Sequence, residues 1–110
     1  AANGAKYIDL GKGESIEDVA LLYKKSVAKI LQYNDFTYET SVAEGERIYI
    51  KPKKNKGASK YYKVQSGETV HAISQKEGIK MSQIYIRNQK HVGWQPSAGE
   101  TIQLKGRAKK

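Results

Sequence analysis

The sequence predicts an α+β fold built twice: two βααβ modules in tandem, each a strand, two helices and a closing strand. Three observations carry that prediction. Gly13-Glu14-Ser15-Ile16 returns 54 residues later as Gly67-Glu68-Thr69-Val70. Short alternating runs rich in Tyr, Ile and Val flank stretches whose apolar residues recur at helical spacing. A lysine-rich stretch without apolar periodicity, residues 51–60, separates two halves that read alike.

Residues 1–6 form an N-terminal extension, and the first module spans 7–50. Tyr7-Ile8-Asp9-Leu10 alternates and reads as a strand. Gly11-Lys12-Gly13 turns the chain. Ser15 followed three residues later by Asp18 has the form of a capping box. Ile16, Val19, Ala20 and Tyr23 then share one face of a helix of about nine residues. Lys24-Lys25 breaks that stripe, and Ser26 caps a second helix with Val27, Ile30, Leu31 and Tyr33 inward, ended by Asn34. After a loop from Asp35 to Gly45, Arg47-Ile48-Tyr49-Ile50 alternates as the closing strand.

Residues 51–60 include Pro52, Gly57 and five lysines, which predicts a basic linker extended by its own repulsion. The second module, 61–104, repeats the first without a gap. Tyr61 to Val64 is its strand, Thr69 its helix cap, and Val70 and Ile73 the inner face. Gly78 ends the helix, Met81, Ile84 and Tyr85 face inward from the next, and Asn88 closes that one. Thr101 to Leu104 is the last strand, and 105–110 a basic tail. Tyr, Gly, Glu, Ile, Asn, Gly, Glu and Ile recur at 7/61, 13/67, 14/68, 30/84, 34/88, 45/99, 46/100 and 48/102. These are few identities, but they fall at turns, helix ends and core positions, where a structural repeat needs them.

Taken in order, strand, Gly-Glu-Ser/Thr-apolar, two helices, a terminal Asn and Gly-Glu-x-Ile resemble the LysM (lysin motif) domain, twice over. The resemblance covers 7–50 and 61–104. It implies two helices packed on one side of a two-stranded antiparallel sheet. It further implies binding of glycans that contain N-acetylglucosamine, such as peptidoglycan and chitin, and a place in the cell envelope, periplasmic or secreted. The paired modules and lysine-rich linker also look like the C-terminal region of bacterial cell-wall glucosaminidases. In the family, sugar lies in a shallow groove between the loop after strand one and the loop after helix two. Carried over, the first groove uses Gly13, Glu14, Ser15 and Ile16 facing Asn34, Asp35 and Phe36. The second uses Gly67, Glu68, Thr69 and Val70 facing Asn88. Two departures stand out. Both Asn-to-Gly loops are longer than the family's spacing, and Gln89-Lys90-His91 stands where the first copy keeps Phe36. That leaves Trp94, the only tryptophan, as the second groove's candidate sugar platform.

Each of these residues also has a plain structural reading. The glycines serve turns, Ser15 and Thr69 cap helices, Glu14 and Glu68 suit a helix N-terminus, and the asparagines brace loops. Trp94, Phe36 and Tyr38 either meet sugar or close a core. The remaining tyrosines fall at packing positions.

Composition narrows the partners. The chain has no cysteine, so no disulfide or thiolate metal site staples either small module. His71 and His91 are isolated, without metal-ligand spacing, so no metal or cofactor is expected. The net charge of +9 lies in 51–60 (five lysines, no acid) and in the tail (Lys105, Arg107, Lys109 and Lys110). The remainder is neutral in sum, which argues against a folded groove for nucleic acid; salt-sensitive binding through the two basic runs stands as a third reading. No apolar run reaches membrane-spanning length. No nucleophile motif, phosphate loop or facing carboxylate pair appears, so the segment reads as a binding module and not an enzyme. With Met81 its only methionine, and Ala1-Ala2-Asn3 at its start, it reads as part of a longer chain, a cell-wall hydrolase by the resemblance. An interaction module whose grooves have lost sugar is the alternative.

Overall fold

The computed structural model describes residues 1–108; Lys109 and Lys110 of the basic tail lie outside the described residues. The chain forms two compact units, Ala1–Lys53 and Lys54–Lys110. In the first, β1 (Tyr7–Asp9), α1 (Ile16–Leu22), α2 (Val27–Tyr33) and β2 (Arg47–Tyr49) follow in the expected order. In the second they are β3 (Tyr61–Lys63), α3 (Val70–Glu77), α4 (Met81–Arg87) and β4 (Thr101–Gln103). The sheets are antiparallel pairs, β1 with β2 (Ile8 opposite Ile48) and β3 with β4 (Tyr62 opposite Ile102).

Local chemistry sets the helix ends. Ser15 accepts from the Asp18 N–H at 3.2 Å while Asp18 accepts from the Ser15 N–H at 2.9 Å, completing the capping box. Those Ser15 bonds, backbone first and then hydroxyl, hold the Asp18 carboxyl below its ordinary range. Ser26 and Thr69 accept from Lys29 and Ala72 in the same way. α1 stops at seven residues, with Tyr23 as its C-cap. The next backbone is left-handed, at Lys24 (φ 56°) in the first unit and Gly78 (φ 68°) in the second.

Each unit owns a core. Ile16, Val19, Ile30, Leu31, Phe36 and Ile48 join in the first, and Val70, Ile73, Ile79, Ile84, Tyr85 and Ile102 in the second. Ile30, Ile48, Ile84 and Val70 are wholly inaccessible, so truncating any of these isoleucines to Ala costs about 2–5 kcal/mol.

Residues 51–60 depart from a freely extended connector. The Lys53 side chain is buried, with Nζ 2.8 Å from Asp35. Burial pulls the Lys53 pKa down, and the Asp35 hydrogen bond and charge offset this in part. Lys54 pairs in parallel with Ile79, its N–H donating to Gly78 and its carbonyl accepting from Lys80, both at 2.9 Å. Gly57 donates to Leu104, whose Cβ lies where a side chain at 57 would begin, 2.7 Å from it. Repulsion between solvated lysines is about 1 kcal/mol at 4 Å in water, too little to outweigh these backbone bonds.

Candidate functional site

Both candidate slots begin at a Gly-Glu turn, and that turn occurs four times. In 11–14 the Glu14 N–H donates to the Gly11 carbonyl at 3.1 Å, while the Glu14 carboxylate accepts from the Gly11 N–H at 2.6 Å. The same pair of bonds closes 43–46, 65–68 and 97–100. The third residue of each turn is Gly13, Gly45, Gly67 or Gly99, all with φ between 76° and 85°. That left-handed conformation costs an L-residue about 1–2 kcal/mol. Within each unit the two turns clasp at the sheet end: Leu10 pairs with Gly45 and Glu46, and Val64 with Gly99 and Glu100. The four glutamates therefore close turns.

Glu68 does more. Its carboxylate also accepts from the Tyr62 hydroxyl at 2.7 Å and lies 3.9 Å from the Lys76 ammonium. Burial pushes its pKa up, but the Gln65 N–H, the Tyr62 hydroxyl and the Lys76 charge outweigh this and hold it below the usual range.

The asparagines are braces. Asn34 is fully buried; its amide donates to Ile30 and Tyr49 carbonyls and its oxygen accepts from the Tyr49 N–H at 2.6 Å. Asn88 repeats this with Ile84 and Gln103. Asp35 follows in left-handed backbone (φ 54°) and points to Lys53, while Phe36 lies in the first core. Gln89 matches Asp35 in backbone (φ 54°), but exposed Lys90 takes the place of Phe36. Trp94 packs against the second core in compensation, with Lys90 over its ring at 5.3 Å.

In the first unit the loop carries an open cleft of about 130 Å³. Ser15, Ile16 and Glu17 form one wall; Thr37, Tyr38, Thr40 and Val42 form the other; Val27 and Leu31 lie on the α2 side. The Ile16 N–H has no hydrogen-bond partner among the described residues. Tyr38 stands at the cleft 78 % exposed, its ring free to meet a ligand. Of the residues expected to bind, Ser15 and Ile16 line this cleft; Gly13 and Glu14 belong to the turn before it, and Asn34, Asp35 and Phe36 do not line it. The loop residues 37–42 are the addition. The sequence leaves Tyr38 open between sugar contact and core, and its exposure decides against the core, whereas Thr37, Thr40 and Val42 carry no motif.

In the second unit the corresponding amide is engaged. The Val70 N–H donates to Gln95 Oε1 at 2.8 Å. Gly67, Glu68 and Thr69 form turn and cap, and Val70 is buried.

Two antiparallel strands clasped by Gly-Glu turns, with two helices and an asparagine brace, define a small βααβ module present twice. The LysM domain family model matches residues 11–51 and 62–105, and the chain belongs to that family. Among solved structures it is similar to the spore cortex-lytic enzyme SleL of Bacillus cereus, at 18 % identity and a TM-score of 0.39, over 94 % of this chain and 23 % of that one. It is likewise similar to the SleL of Bacillus megaterium QM B1551, at 21 % and 0.40, over 99 % and 24 %. The chain thus spans about a quarter of either structure's length. No curated protein matches it.

Proposed function

We propose that this segment holds a larger cell-wall protein on peptidoglycan, chitin or a related glycan containing N-acetylglucosamine, by binding without catalysis. The observation that carries the reading is the first cleft, where an unpartnered backbone N–H stands beside an apolar wall and an exposed tyrosine. An acetamido group needs these things: a donor for its carbonyl, apolar surface for its methyl, and a flat face for the sugar ring. The Ile16 N–H serves the carbonyl, Ile16, Val27 and Val42 enclose the methyl, and Tyr38 meets the ring. The turn of Gly13 and Glu14 presents that amide, and Asn34, Asp35 and Phe36 hold the opposite loop. In the second unit the equivalent roles fall to Gly67, Glu68, Thr69 and Val70, with Asn88 and Trp94, although there the Val70 N–H is held by Gln95.

A neutral sugar gives modest affinity per unit, and two units on one glycan gain by effective concentration. The parent chain on this reading is a cell-wall hydrolase acting outside the cell membrane; among the described residues no helix is long and apolar enough to cross a membrane.

The test is sedimentation of the full chain with insoluble peptidoglycan and with chitin. Capture, with release by N-acetylglucosamine oligomers and retention in 0.5 M salt, is expected. Release by salt alone would instead identify the basic stretches as the binding element.

A further inference from the structure

Resting on the glycan reading, we propose that Gln95 is a built-in competitor that occupies the second slot and makes the two modules unequal in affinity. The Gln95 side chain ends in a primary amide, and its carbonyl oxygen takes the Val70 N–H at 2.8 Å. An acetamido carbonyl presents the same acceptor to the same donor, so sugar and glutamine cannot both have it. At the offset of 54 residues that relates the modules, Gln95 corresponds to Ser41, and Val70 to Ile16. The serine side chain ends one carbon from the backbone, and the Ile16 N–H is without a partner among the described residues. One position in the loop thus separates an open slot from a filled one.

Geometry makes the contact displaceable. Gln95 is exposed, so its amide finds water when it leaves, and no core side chain has to move. α3 keeps its own cap, because Thr69 accepts from Ala72 independently of Gln95. Trp94 stays seated on the second core through its own ring packing. Sugar therefore enters the second slot only by exchanging one neutral hydrogen bond for another, and its affinity there falls by the strength of the bond displaced.

The test is a residue-resolved NMR titration of the full chain with tetra-N-acetylchitotetraose, following the Ile16 and Val70 amides, in three proteins. In the unmodified chain the Ile16 amide responds at lower ligand concentration than Val70. Gln95→Ala frees the Val70 N–H and tightens second-module binding about three- to tenfold, with Ile16 unchanged. Gln95→Glu puts a charged acceptor on the same N–H and weakens the second module below the unmodified chain. If Ile16 responds while Gln95→Ala leaves the second module's affinity unchanged or weaker, Gln95 is a loop brace and the proposal is overturned, with the glycan reading intact. Silence of both amides in all three proteins overturns both.

Discussion

At the end of the first helix in each unit the chain needs one residue with positive φ, and the two copies fill that place differently. Gly78 meets it without a Cβ, whereas Lys24 adopts φ 56° against its preference. A left-handed L-residue costs about 1 kcal/mol, so Lys24→Gly should raise first-unit stability by about that much, and Gly78→Ala should lower the second by about 1–2 kcal/mol. Chemical denaturation read separately at first- and second-unit amides checks both. Asn34 and Asn88 work in the opposite sense, each tying a helix C-terminus to the closing strand through three hydrogen bonds. Asn34→Ala leaves buried backbone groups of Ile30 and Tyr49 unmatched, a loss of about 2–4 kcal/mol. A unit of some fifty residues has only about 3–8 kcal/mol in hand, so that variant should lose about half of its first unit's stability, as chemical denaturation followed at first-unit amides would show. The asparagines were legible as helix ends because they recur at one offset. Lys53 was not: nothing in a run of solvated lysines marks the one whose head group meets a carboxylate 18 residues earlier.

At the scale of the element, the Gly-Glu turn explains why glycine and glutamate are among the few identities the copies share. Four helices and four strands could be placed from periodicity and capping, since those signals are local. The role of the glutamates could not, because a carboxylate after glycine reads equally well as a helix-dipole partner or a sugar contact. Only the backbone shows it returning to the first amide of its own turn. Ile79 was missed for a related reason. It follows the helix-ending glycine, outside either helical stripe, yet is wholly buried with Lys54 paired beside it. Glu68 carries the testable consequence. Its folded-state pKa lies below its unfolded value, so its contribution is complete above the ordinary carboxylate pKa, near 4.3, and is lost as pH falls through the lower folded value. Glu68→Gln should therefore be less stable than the unmodified chain at pH 7, with the difference closing as both are acidified below about pH 4. Thermal unfolding across pH 2–7 would reveal a constant gap instead if the carboxylate made no such contribution.

For the whole molecule, charge and fold divide the work. The positive excess of 51–60 and of the described residues after 104 lies outside the named strands and helices of both units, while the first cleft is framed by hydroxyl, apolar and aromatic groups with Glu17 as the one charged residue lining it. A glycan binder of this design is insensitive to salt at its slot, whatever its basic stretches do near an anionic wall polymer. On the proposed reading, two similar slots of unequal openness would give a graded grip: the first engages readily, and the second adds avidity when one chain of sugar reaches both. All of this rests on acetamido recognition at the Ile16 amide. The most direct measurement compares a chitin tetramer with its fully de-N-acetylated counterpart, by NMR titration of the unmodified chain. The acetylated sugar should shift Ser15, Ile16, Thr37, Tyr38 and Val42 together, equally at low and high salt, and the deacetylated one should leave them in place. Equal shifts from both sugars, or movement confined to residues 51–60 and 105–108 that fades with salt, would contradict the account.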